Sequence, residues 1–268
     1  MAAAGIWIRK EKPTLYDLTT YTNEIIDILP HYDSFHVKFY SKFWTWQPFY
    51  WKGFKATPHY TMCIEQSSPN NVLGMITKDR KKRVNRGQKK YRISVDKITF
   101  NEYWDFLIKS YDNRNRSLNY DKIRFKRLFD SLIKNNSCHI RAVYDEEQIV
   151  AVNIMITDKD KYYHQFGTQM KNADPNATSF AIYDAICSAV EEGKMFDFEG
   201  SMIKGVCEFN SSYNPMWETQ YVIDDYSNKY IFLDCMRRIL NLIKSGIAKK
   251  LRGMVGRLKS NVRASYAK

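Results

Sequence analysis

The stretch Lys194-Met195-Phe196-Asp197-Phe198-Glu199-Gly200-Ser201 decides how the rest of the chain is read. It predicts a short buried strand over 194–200 that ends at Gly200. Side chains alternate along a strand, so Asp197 and Glu199 are expected on one face and Phe196 and Phe198 in the opposite layer. Two carboxylates sharing one environment raise the pKa of one member, which makes a proton acceptor near neutral pH. The competing reading is a strand whose acids are solvated or paired with nearby Lys or Arg.

Outward from this strand the order of elements is regular by period and length. A strand over 91–97 leads to helices over 99–112 and 121–135. Strands follow over 138–145, 148–157 and 160–168, joined by the turns DEEQ and DKDK. The loop QMKNADPNAT carries the chain into a helix over 178–192, then come the 194–200 strand, a short helix over 202–210 and a last strand, WETQYVID. The order β-α-α-β-β-β-α-β-α-β predicts an α/β (α+β) fold with a mixed, mostly antiparallel sheet flanked by helices.

The chain has 268 residues and is 44% hydrophobic, ample for a packed core. There is no run of 18 or more apolar residues, and the start, MAAAGIWIRKEK, lacks the long apolar segment of a secretory signal. The five cysteines are scattered with no CxxC pair, which fits reduced thiols, not a disulfide frame or a metal site. A cytoplasmic protein is expected, at most peripheral to the inner face of a membrane.

Charge is uneven. Residues 229–268 hold eleven Lys and Arg against the single acid Asp234, which leaves only +3 of the net +13 for residues 1–228. A basic amphipathic helix is expected over 229–258, with Phe232, Met236, Leu240, Ile243, Ile247, Leu251 and Met254 on one side. Such a segment suits an anionic membrane surface, a polyphosphate-linked substrate or nucleic acid. Near the other end, residues 14–29 predict a helix stopped by Pro30. Aromatic residues then crowd between Phe35 and Tyr60 with Lys38, Lys42, Lys52 and Lys55 among them, a pattern that stacks rings and holds phosphates or else packs irregularly. Nine basic residues lie between Lys78 and Arg92 with only Asp79 opposing them. Three parts are expected: an aromatic-rich extension over 1–65, a central domain over 66–228 and the basic helix and tail over 229–268.

The element order is that of the GNAT acyltransferase fold, and three motifs sharpen the likeness. FDFEGSMIKGVCEFNSSYN followed by TQYVI resembles the closing segment of the FemAB-like branch, with its aromatic-acid-aromatic strand, Gly, GVxxF and aromatic-Asn turn. WQPFYWKGFKATPHYT resembles the aromatic stretch ahead of the acyltransferase domain in that branch, and RKKRVNRGQKK is similar to its basic RxxxxR segment. Together they cover roughly residues 45 to 225. The resemblance implies direct acyl transfer onto an amine or hydroxyl, N-acetyl, N-acyl or aminoacyl, on a cell-envelope sugar, peptide or lipid-linked precursor. Residues 1–65 would then be a plain extension or part of a second GNAT-like half.

Such a transfer asks for a base, donors that polarise the acyl carbonyl, and a helix start for the donor's phosphates. Glu199 is the expected base, with Asp197 orienting it or positioning the acceptor. His164 and Tyr213 are further catalytic candidates, Tyr213 standing where many GNAT enzymes keep a phenol for the leaving group. Gln165, Gly167, Asn176, Thr178 and Ser179 are expected at the donor, which would be acetyl-CoA or another acyl-CoA, with aminoacyl-tRNA as the alternative. The Gly-rich loop of the acetyl-CoA-binding branch is replaced here by QMKNADPNAT, and Glu208 and Asn210 flank Phe209 where the tRNA-dependent transferases tend to carry lysines. Trp51, Lys52, Phe54, Arg80, Arg83 and Arg86 are the expected substrate contacts, and no metal is expected. The competing class is a GNAT-like module that holds RNA or another polyanion without chemistry.

Overall fold

The structure, a computed structural model, describes residue 6 and residues 12–41, 43, 45–65 and 69–243. The described residues fall into two compact units. One is built mainly from Pro58–Tyr221; the other combines residues 12–39, 43, 45–57 and 222–243.

In the first unit the basic run forms α4 (Lys78–Lys90), preceded by α3 (Pro69–Met75) and followed by β3 (Arg92–Val95). Helix α5 (Phe100–Asp112) starts where the sequence demands it, at a reciprocal cap between Thr99 and Glu102. Helix α6 (Lys122–Lys134) is capped by Asp121. A meander of β4 (Cys138–Asp145), β5 (Gln148–Thr157) and β6 (Lys161–Gln169) follows, then α7 (Pro175–Glu191), β7 (Met195–Asp197), α8 (Lys204–Ser211) and β8 (Met216–Tyr226).

The eight-stranded sheet is completed by β1 (Ser34–Lys38) and β2 (Lys55–Ile64), in the order β1-β8-β2-β7-β6-β5-β4-β3. The β2–β7, β5–β6, β4–β5 and β3–β4 ladders are antiparallel, whereas β6 and β7 run parallel. Strand β2 is absent from the sequence reading, because Pro58 and a broken alternation hide it among the aromatic residues. It nonetheless lies beside β7, where Cys63 pairs with Asp197.

Two cores sandwich this unit's sheet. On one face Ile182, Ala185, Ile186 and Ala189 of α7 meet Met155, Tyr162, Phe196 and Phe198. On the other, aromatic residues of α5 and α6, among them Phe100, Trp104, Phe125 and Phe129, cover Ile140, Val152 and Ile154. Helix α4 approaches α7 at Gly87, where an added Cβ would stand 2.6 Å from both the Asn176 carbonyl oxygen and Phe180 Cβ.

The second unit holds α1 (Leu15–Asp27), β1, α2 (Gln47–Trp51) and α9, a helix over 228–243. Strand β1 pairs with residues 222–226, the end of β8. Phe39, Phe43, Phe49 and Phe54 are all buried here, with Phe54 in edge contacts to Phe35 and Phe49, each 5.3 Å between centroids. Boundaries at 65 and 228 therefore do not match the units. The extension gives β2 to the first, and residues 222–243 join the early segment through the β1 ladder. Trp44, Lys42 and the helical residues expected beyond 243 lie outside the described residues.

Gly87→Ala is expected to lower stability by about 1–3 kcal/mol, because the backbone carbonyl it meets has nowhere to rotate away. Chemical denaturation checks this against Gly74→Ala, whose added Cβ meets nothing within 4 Å.

Candidate active site

Strands β6 and β7 pair over only three positions, the last being Tyr163 with Asp197, and then part. Each strand has a local reason to leave. In β6 the register against β5 jumps from His164–Met155 to Phe166–Ile154, so Gln165 is an extra residue in a bulge that bends the strand. The chain after β7 follows β2 instead: the Phe198 amide donates to the Met62 carbonyl at 2.9 Å. Glu199 and Gly200 then turn it with φ of +60° at both. Gly200 is obligatory, since a Cβ would fall 2.0 Å from the Tyr60 carbonyl oxygen. Among the described residues no strand takes up the β7-facing side of β6 beyond Tyr163. That leaves an open V lined by extended backbone, able to pair with an extended ligand.

The two carboxylates do not share one environment, which corrects the expectation for Asp197. Asp197 is 3% exposed and belongs to a closed ionic cluster. Lys161 Nζ lies 3.3 Å from Asp197, 3.1 Å from Glu218 and 3.4 Å from Cys63 Sγ, so its three protons have three acceptors. The Thr61 hydroxyl donates to Asp197, the Ser41 hydroxyl to Glu218, and the Glu199 amide to Asp197 at 2.8 Å. Burial alone would pull the Lys161 pKa down, but its anionic surroundings reverse this and hold it above the usual lysine value. Glu218 is pushed up by burial and more than compensated by Ser41 and Lys161, ending below the ordinary range. Cys63, Asp197 and Glu218 also form a set of ligand atoms within 4.8 Å of one another, but the Lys161 ammonium supplies the cation there.

Glu199 leaves the strand. The 194–200 strand is in fact only Met195–Asp197, and Glu199 sits half-buried in the left-handed turn at the mouth of the V. Asp197 positions it through its backbone amide.

The start of α7 also differs from expectation. Its cap is Asp174, whose carboxylate accepts the Asn176 amide at 2.9 Å and the Asn176 side-chain amide at 2.8 Å. The Ala177 amide is bonded to the Asp174 carbonyl at 3.0 Å. The Thr178 hydroxyl donates to Gln169 and the Ser179 hydroxyl to the Pro175 carbonyl at 2.7 Å. With Pro175 at the first helical position, the Asn176 and Ala177 amides expected to receive phosphate are already engaged, and a carboxylate stands where the anion would bind.

Tyr213 is fully buried, donates to the Ser179 carbonyl at 3.0 Å, and is held above the ordinary phenol range by burial. It is a packing residue with no access to a leaving group. Arg80 is not a substrate contact either. Its guanidinium lies 4.0 Å over Phe209 and 4.9 Å from the Tyr213 ring, and it donates to Ser212 at 2.7 Å, to Ser179 and to the Phe209 carbonyl. Arg83 and Arg86 are exposed on α4. Trp51, Lys52 and Phe54 belong to the second unit: Trp51 is exposed, Lys52 pairs with Asp27 at 2.6 Å, and Phe54 is buried among phenylalanines.

His164 stacks on Phe196 with 6.4 Å between centroids, and its Nε2 meets Asn153 Oδ1 at 3.0 Å. Gly167 makes room for this pair, since a Cβ would stand 2.9 Å from His164 Nε2. Desolvation pushes the imidazole down to about 4, so it is neutral near pH 7 and shapes the bulge beside Gln165. Thr61, Lys161, Asp174 and Glu218 were missed by sequence reasoning. For Lys161 a signal existed: a lysine opening a strand of aromatic residues.

A splayed parallel strand pair beside a helix that connects the two strands is the arrangement around which one family is built. The model of the acetyltransferase (GNAT) domain family matches residues 72–205, half of the chain. The chain belongs to the GNAT family. Its GNAT fold is shared with FemX, at 12% identity and a TM-score of 0.60 over 82% of this chain and 78% of that one. It also resembles a conserved protein of unknown function from Bacteroides thetaiotaomicron VPI-5482, at 14% identity and a TM-score of 0.50. That match covers 65% of this chain and spans 62% of the length of the Bacteroides protein. No curated protein matches the chain by sequence. The FemAB-like motifs agree with the fold shared with FemX.

Asp197→Asn is expected to lower stability by about 1–3 kcal/mol, because it removes one of the two carboxylates that face the buried Lys161 ammonium. Glu199→Gln, at a half-buried side chain in the turn, is expected to cost less than Asp197→Asn; thermal and urea melts of both variants check the contrast. A second expectation concerns pH. The folded pKa of His164 lies below the unfolded value of 6.5, so its contribution is complete above pH 6.5 and is lost as pH falls toward 4. His164→Gln should flatten the slope of stability against pH in that window, which denaturation at a series of pH values measures.

Proposed function

We propose that this GNAT domain is an acyltransferase that moves an acyl group by direct attack onto an amine or hydroxyl of a cell-envelope sugar, peptide or lipid-linked precursor. The observation that carries the reading is the parting of β6 and β7 beyond Tyr163 and Asp197, with Glu199 at its mouth. The acyl chain pairs with the open edge of β6 around Gln165 and Gly167, which aligns its carbonyl. Glu199 takes the proton from the attacking nitrogen or oxygen. A bond forms from that atom to the acyl carbon, the bond to the donor breaks, and the proton passes to the leaving oxygen.

Acyl-CoA, the donor that the family implies, does not fit the start of α7, where Asp174 and the absence of glycine close the phosphate position. The charge of this chain lies elsewhere. Lys81, Lys82, Arg83, Arg86, Lys89 and Lys90 are exposed along α4. A solvated basic face of this kind suits a long polyanion, which favours an aminoacyl-tRNA donor over a single pyrophosphate. The same face supports a second reading, an RNA-binding module without chemistry.

Charged tRNA is expected to raise the melting temperature and acetyl-CoA to leave it unchanged, since a ligand of the native state alone stabilises it. Single-turnover transfer from charged tRNA should fall about 10²–10⁴-fold in Glu199→Gln while tRNA affinity stays at the wild-type value. Stabilisation by acetyl-CoA but not by tRNA would overturn the donor assignment. RNA affinity without transfer to any acceptor, in the wild type and Glu199→Gln alike, would establish the binding module instead.

A further inference from the structure

Helix α9 is oriented against the usual rule for a surface helix. At about 100° per residue, its apolar positions Ile231, Phe232, Met236, Ile239, Leu240 and Ile243 fall within one broad arc with Leu233 and Leu242. All eight are between 43% and 71% exposed. The side turned toward its own unit is the polar one. Tyr230 stacks on Tyr226 with 5.1 Å between centroids, and Asp234 is 17% exposed. A surface helix ordinarily buries its apolar stripe and solvates the rest.

The charge around this face has one sign. Asp234, the only acid between 229 and 268, is neutralised by Arg237 and Arg238 at 2.5 and 2.7 Å. The eleven Lys and Arg in the same 40 residues outweigh that acid, so the segment carries a net charge of +10 with which to meet an anionic partner. Apolar arc and positive flanks together match a surface with hydrocarbon below and negative charge above. Among the described residues no helix is long and apolar enough to cross a membrane, so α9 is suited to lie along one.

We propose that α9 docks on an anionic lipid bilayer, with Phe232, Met236, Ile239 and Leu240 in the acyl layer and the exposed guanidinium groups of Arg237 and Arg238, which carry one charge more than Asp234 offsets, among the headgroup phosphates. The apolar contacts hold the helix and the charges select the lipid. Docking is independent of acyl transfer, since no residue of the V takes part.

Cosedimentation of the full chain with vesicles tests this. Vesicles of equal parts phosphatidylglycerol and phosphatidylcholine should bind at least about tenfold more tightly than phosphatidylcholine alone, with the difference shrinking at high salt. Phe232→Asp with Ile239→Asp should lower binding by about tenfold or more and leave the melting temperature unchanged, as both side chains are exposed. Equal binding to both vesicle types, no binding, or retention of binding in the double variant overturns the proposal. So does light scattering that shows a dimer turned to monomer by the two substitutions, which would make a second copy the occupant of the face.

Discussion

The ammonium of Lys161 between Asp197, Glu218 and Cys63 holds together the part of the sheet on which the rest depends. It links the first residue of β6 to the last of β7, to β2 and to β8, so four strands converge on one buried cation. A buried pair of this kind gives little net stability over a hydrophobic packing of the same volume, but breaking it is expensive. Its value here is geometric. It pins β6 and β7 together at one end, and beyond that pin the bulge at Gln165 and the turn at Glu199 and Gly200 send the strands apart. A cleft that opens from a fixed hinge point has a defined width.

The same cluster divides labour between two acids that look equivalent in sequence. Asp197 is inward and paired with a lysine; its oxygens organise the hydroxyl of Thr61 and the amide of Glu199. Glu199 is carried by that amide into a conformation that non-glycine residues rarely adopt. Strain of this sort persists only where the surroundings impose it, and the bond of the Glu199 amide to Asp197 holds the turn in place.

Much of the fold was legible in the sequence because it rests on local signals. The hydrophobic period gave β4 and β5 with the same ends as observed, and the helix read over 99–112 is α5. Strand β2 escaped because its pattern is broken by Pro58 and its neighbours are aromatic for reasons of the second unit's core. The site was less legible. Alternation along an ideal strand placed Asp197 and Glu199 on one face, but the strand stops at Asp197 and a left-handed turn follows. Nothing local announces that. Tyr213 and Arg80 carry chemistry-bearing groups that packing absorbs, a choice made by residues over 30 positions away such as Ser179. The open end of β6 follows from register, which one sequence does not encode visibly.

Asp174 has a consequence beyond its place at the head of α7. One carboxylate both begins the helix and stands where the helix would otherwise attract anions. Folding and ligand choice are thereby tied to a single side chain. Evolution toward a different donor must first weaken the cap, so along that route new specificity and loss of stability arrive together.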